Sequence, residues 1–180
     1  CDLPINFEIA STAEMLEIAL RLAPDFVCLV PENRQEITTE GGLDVAGQQE
    51  SLRATVTTLQ RGGSMVSMFI DPDEEQIRAS AEIEADMIEL HTGCFANSTG
   101  VDHVDEIERL VAGARLGHEL GLQVNAGHGI NYRNIGELFK VPHLLELNIG
   151  HSIVSRAVTT GLEQAVREMA EAMKGYPGES

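Results

Sequence analysis

The 180-residue sequence predicts an α/β fold, a (β/α)8 TIM barrel with strands three to eight present, and three observations carry that expectation. Six short apolar runs alternate with segments of helical apolar spacing, which means parallel strands joined by crossovers. Alternate positions in these runs are polar: Asn6 and Glu8, Glu89 and His91, then Asn125 and Asn148. A period of two puts each such pair on one face of its strand. In an open doubly wound sheet that face lies under a helix, where an unpaired carboxylate costs several kcal/mol. In a barrel it points into the lumen near the C-terminal mouth, where active sites are built. Third, the strand pattern begins within a few residues of Cys1. A (β/α)8 chain typically runs to about 250 residues, so about 70 are wanting and the first two strands are expected upstream. Residues 1–180 are therefore read as a single barrel domain, N-terminally truncated.

The first strand is expected at residues 5–9 (INFEI). Ser11-Thr12-Ala13-Glu14 then fits a capping box ahead of the helical run MLEIALRLA. Residues 26–30 (FVCLV) form the second strand, followed by a long loop, VPENRQEITTEGGLDVAG, and a helical stretch over 43–59. The third strand is 65–70 (MVSMFI), after which Asp71-Pro72-Asp73 opens the helix EEQIRASAEIEA. Residues 87–91 (MIELH) are the fourth strand, with a long helix at 104–120. Strands at 122–125 and 145–149 and a closing helix over 153–173 complete the pattern.

Composition narrows the function. A formal net charge of -17 with no basic stripe argues against nucleic acid and anionic membrane surfaces, which depend on clustered Lys and Arg. The same charge opposes an anionic substrate, so local donors are needed to hold one. No apolar stretch approaches the roughly 20 residues of a membrane span, and no signal-like segment opens the chain. Three widely spaced cysteines, with Cys28 inside an apolar run, suit a reducing, cytoplasmic setting.

Two glycine–histidine corners attract attention. In QVNAGHGINY, His128 lies between Gly127 and Gly129, which allow a sharp turn and close ligand approach. A histidine held there can exchange a proton near neutral pH. In ELNIGHSIV, Gly150 and His151 open a helix whose N-terminal amides and partial positive charge suit phosphate. The two Asn-x-Gly-His ends, 125–128 and 148–151, are expected to form one phosphate-binding, proton-transferring corner. Glu8 and Glu89, at strand ends on the lumen side, are candidates for proton transfer because neighbouring buried carboxylates have raised pKa values. A purely structural role for each carboxylate, ordering the lumen, is the competing reading. The long loop offers Thr38, Thr39, Gly41 and Gly42 as a substrate loop or an ordinary excursion. Lys140 and Lys174 are the only lysines and neither ends a strand, which argues against a Schiff-base aldolase. No Gly-x-Gly-x-x-Gly follows a strand, so the dinucleotide fingerprint is missing.

The segments LVPENRQEITTEGGLDVAGQ, IELHTGCFA, VNAGHGINY and ELNIGHSIVSRAV closely resemble the pyridoxine 5'-phosphate synthase family of the deoxyxylulose-dependent vitamin B6 pathway. The likeness runs from about Asn6 to Met169. It implies a (β/α)8 barrel assembled as a homo-octamer in the bacterial cytoplasm. The implied reaction condenses 3-amino-2-oxopropyl phosphate with 1-deoxy-D-xylulose 5-phosphate to pyridoxine 5'-phosphate, phosphate and water, a transferase-type ring closure with no metal or organic cofactor. By position, the resemblance makes Glu8 a proton acceptor, Glu89 the transition-state stabiliser and His128 the proton donor. It makes Thr38 and Gly129 substrate contacts, and Gly150 with His151 a phosphate-binding pair. The family's Asn-x-Asp-His and His-x-Arg motifs, on its first two strands, are absent here; the only Asp-His is Asp102-His103, at the approach to a helix. The segment alone is expected to be inactive.

Two other classes compete. A metal-dependent barrel aldolase or hydrolase acting on a phosphorylated sugar would use His91, His128, His151 and Glu8 as ligands. A non-catalytic phosphosugar-binding module would bind substrate and form no product.

Overall fold

The computed structural model describes residues 2–32 and 41–177. Its strands are β1 (Asn6–Ala10), β2 (Phe26–Val30), β3 (Met65–Ile70), β4 (Met87–His91), β5 (Gln123–Gly127) and β6 (Leu144–Asn148). β2, β3 and β4 lie where the apolar runs place them, and the others differ by one or two residues at their ends. The helices are α1 (Ala13–Leu22), α2 (Gln49–Arg61), α3 (Glu74–Glu82), α4 (Gly93–Asn97), α5 (Val101–Glu119), α6 (His151–Thr160) and α7 (Leu162–Met173).

Four local expectations are corrected. The cap of α1 is Thr12, whose Oγ1 accepts the Met15 N–H at 3.3 Å; Ser11 Oγ instead meets Thr55 Oγ1 of α2 at 2.9 Å. Residues 43–45 are not helical. Leu43 N–H donates to the Phe69 carbonyl, and the Val45 and Ala46 amides donate to Gln76 Oε1, so Leu43 and Val45 are buried as a strap across α3. The closing helix is two helices, because Gly161 has φ 83° and ends α6. A left-handed residue cannot continue an α-helix. Finally, α4 is additional to the expected elements; five residues are too few to show helical periodicity.

All six strands are parallel and lie in the order β1-β2-β3-β4-β5-β6. Right-handed crossovers that always step in one direction put every helix on the same face. That face carries Ile9, Val27, Leu29, Met68, Ile70, Ile88, Leu90, Val124 and Ala126, all in the main core. The other face carries a separate small cluster, Cys28, Val30 and Phe69, and the polar strand residues. Covered on one face only, the sheet curls into a half-barrel. The curl is visible in one cavity lined by Asn6 of β1 and Asn148 of β6, the first and last strands. The barrel expectation thus holds as a curled parallel half-barrel. Among the described residues, no helix is long and apolar enough to cross a membrane.

Candidate active site

The cavity is about 600 Å³ and opens at the C-terminal ends of the strands. Glu8, Glu89, His128, Gly129, Gly150 and His151 all line it, six of the seven positions to which the family resemblance assigns a role. The seventh, Thr38, lies outside the described residues.

Glu89 is the most buried of the six, 3% exposed, because β4 is central and its inward residues face the concavity. Its Oε2 accepts a hydrogen bond from Asn148 Nδ2 at 2.7 Å and from the Cys28 thiol at 3.5 Å. Burial pushes its pKa up to about 7; the Asn148 amide pulls it down, and Glu8 across the cavity raises it again. The same burial, with Glu89 and Glu8 nearby, holds the Cys28 thiol protonated as a donor. A Cβ at Gly127 would overlap Glu89 Oε1, so the glycine before His128 makes room for the carboxylate.

His128 has φ 77° and is exposed to the cavity. Its unusual backbone is pinned by Thr92, whose Oγ1 donates to the carbonyls of both Gly127 and His128, while the Thr92 amide donates to Gly127 O at 2.9 Å. Behind it stands His91, 3% exposed, with Nδ1 2.8 Å from Asp71 Oδ1. His91 does not line the cavity; its ring packs on His128 with centroids 5.1 Å apart.

Gly150 caps α6 without a side-chain hydrogen bond, and the first turn of α6 carries no acidic residue. Among the described residues, no atom approaches within 4 Å of where a Gly150 Cβ would be. This helix start, with exposed His151 beside it, is an open cluster of donors suited to an anion. Ser152 Oγ is committed elsewhere, donating to Ile130 O at 2.8 Å and tying the loop after β5 to α6.

The two Asn-x-Gly-His ends are adjacent but not equivalent. Gly127 pairs with Asn148, so the second asparagine sits one layer nearer the mouth than the first. Asn148 reaches Glu89, whereas buried Asn125 accepts from Gln123 Nε2 at 3.1 Å and lies outside the cavity lining. Asn148, an inward polar position already in the sequence pattern, reaches the site, whereas Cys28, Thr92 and Asp71 are residues around it to which the sequence reading gives no part. Period two already puts Asn148 and Cys28 on the inward face; Asp71 and Thr92 follow their strands, where periodicity gives no signal. The four candidate metal ligands are not gathered: among the described residues no three His, Cys, Asp or Glu groups converge on a metal position.

Residues 1–175 match the family model of the pyridoxal phosphate biosynthesis protein PdxJ. The chain belongs to the PdxJ family. Three curated relatives, each named pyridoxine 5'-phosphate synthase, agree. That of Akkermansia muciniphila is 55% identical over 172 residues, which is 95% of this chain and 70% of the relative. The Opitutus terrae protein is 57% identical over 92% of this chain and 67% of its own length. A Synechococcus relative is 54% identical over 94% and 71%. Among solved structures, a xylose isomerase domain protein from Planctomyces limnophilus superposes with TM-score 0.57 over 94% of this chain and 71% of that one. At 16% identity that likeness concerns the fold alone.

Proposed function

We propose that this cavity is where a pyridoxine 5'-phosphate synthase joins 3-amino-2-oxopropyl phosphate to 1-deoxy-D-xylulose 5-phosphate, releasing pyridoxine 5'-phosphate, phosphate and water. The observation that carries the reading is the convergence of Glu8, Glu89, His128, Gly129, Gly150 and His151, from four different strand ends, on one cavity. Ring closure of this kind needs protons moved on and off carbon and oxygen, and an anchor for phosphate. In this reading Glu8 takes a proton, His128 gives one, and Glu89 stabilises charge in the transition state. With its pKa near 7, Glu89 is poised to hold or release a proton at neutral pH. Gly150 and His151 bind phosphate at the start of α6; Gly129 offers close backbone approach, and Thr38, outside the described residues, is a further substrate contact by the family resemblance. The chemistry is acid–base throughout and calls on no metal or organic cofactor.

The full architecture in this reading is a (β/α)8 barrel, with residues 1–180 supplying strands three to eight and two further strands closing the gap between β6 and β1. Support comes from those two edges, which each lack a partner among the described strands yet line the same cavity. Assembly as a homo-octamer in the cytoplasm goes with the family resemblance.

The test is His128→Gln in the intact enzyme. Pyridoxine 5'-phosphate formation should fall to background while the circular dichroism spectrum stays native. Near-normal turnover would remove His128 from the chemistry. Glu8→Ala should slow turnover by about 10²-fold or more, a usual share for one general base.

A further inference from the structure

His91 has no role in the chemistry above and does not reach the cavity, yet its surroundings are unusually specified. Its ring is 3% exposed and packed between Phe69 and His128, both with centroids 5.1 Å away. Asp71 Oδ1 accepts from Nδ1 at 2.8 Å, and Asp71 Oδ2 accepts from the Gly42 amide at 3.1 Å. Partial burial pushes the Asp71 carboxyl up, but the bonds from His91 and Gly42 outweigh it and hold the group below its ordinary value, hence ionised. An ionised partner fixes the tautomer: Nδ1 carries the proton and, in the neutral ring, Nε2 is the bare nitrogen.

That Nε2 is buried and has no hydrogen-bond partner among the described residues. It faces a space that exists only because residue 93 is glycine: a Cβ there would overlap Nε2 and would stand 3.3 Å from His128 Cδ2. A buried, unpaired ring nitrogen costs stability. Core packing alone would be served better by an apolar ring. The arrangement makes sense if orientation is the benefit.

We propose that His91, oriented by Asp71, is the positioning residue for His128, setting the angle at which the His128 ring meets substrate. This rests on the reading of His128 as proton donor. Thr92 fixes the His128 backbone and His91 fixes its ring, so the run Glu89-Leu90-His91-Thr92-Gly93 at the end of β4 contributes one carboxylate to the cavity and builds the seat for a histidine on β5. The Gly42 amide extends this line to the strap after β2, where a Cβ at Gly42 would overlap the backbone of Ile70 and Asp71.

The test uses the intact enzyme with Asp71→Asn, His91→Phe and Gly93→Ala. Misplacement of a reacting group by about 1 Å costs on the order of 10²-fold, so kcat should fall by roughly 10- to 100-fold in each variant. KM for both substrates should stay within about threefold, because an interaction felt only in the transition state is lost. Ring-nitrogen NMR of labelled histidine should show His128 shifted or broadened in Asp71→Asn, which keeps both rings and the side-chain shape. Unchanged His128 resonances, or raised KM with normal kcat, would overturn the proposal. High turnover in His128→Gln would instead sink the proton-donor reading, and the NMR comparison would still decide whether His91 positions that ring.

Discussion

Glu89 is 3% exposed, and that burial, reinforced by Glu8 and only partly offset by the Asn148 and Cys28 hydrogen bonds, makes the stability of the fold depend on pH. Its pKa in the folded chain is about 7 against an ordinary 4.5, so between these values the native state binds the extra proton. Stability from this group is therefore full below about pH 4.5 and declines as pH rises through 7. The ionised carboxylate costs on the order of 3 kcal/mol at pH 8, since each tenfold change in proton affinity is worth about 1.4 kcal/mol. Glu89→Gln keeps the shape and removes the charge. It should raise Tm at pH 8 by roughly 5 °C or more, for a chain of this size, and leave Tm at pH 5 nearly unchanged. Turnover should fall in the same variant. Equal Tm changes at the two pH values would mean that the carboxylate is not ionised in the native cavity.

Elements explain what periodicity reveals and what it hides. β2 and β3 are legible as short apolar runs between helical segments, and β4 also shows a period of two, with Glu89 and His91 on the concave face and Ile88 and Leu90 under the helices. The same period marks Glu89, Asn6 and Glu8, and glycine spacing marks His128 and His151. The strap at 43–45 misleads because Leu43 and Val45 are as apolar as any helix face, and only tertiary bonds to Phe69 and Gln76 hold them outside the helix. Asp71 is invisible for a related reason: its importance lies in a contact 20 residues away in sequence, with His91. The break at Gly161 separates α6, which offers its N-terminus to the cavity, from α7, which packs through Ala165 and Met169. Gly161→Ala forces a side chain into φ 83° and should cost about 1 kcal/mol, read as a Tm drop of roughly 2–4 °C. Phosphate binding should survive, because Gly161 ends α6 and the proposed phosphate-binding turn begins it. Loss of substrate affinity in this variant would mean that the two helices act as one rod.

At the scale of the molecule, the two edges govern behaviour. β1 and β6 each present unpaired backbone groups among the described strands, and Leu145 on β6 is 72% exposed. Bare edges beside apolar side chains template aggregation, and a lumen open to water loses the fixed surroundings that make its dipoles effective. Residues 1–180 expressed alone should therefore be inactive and poorly soluble, and supplying the two strands that precede them in the proposed barrel should restore solubility and synthase activity together. A monodisperse, active preparation of 1–180 would show that the cavity needs no further strand. The strict division of each strand between its two faces also constrains how such a gene can change. Deleting or inserting one codon at the start of β4 would exchange the faces, turning Ile88 and Leu90 toward the cavity and driving Glu89 and His91 under the helices. Strand length here is as much an inherited trait as any side chain: point substitutions can drift in, whereas single-codon indels in β2 to β5 should be purged even where every remaining residue is unchanged.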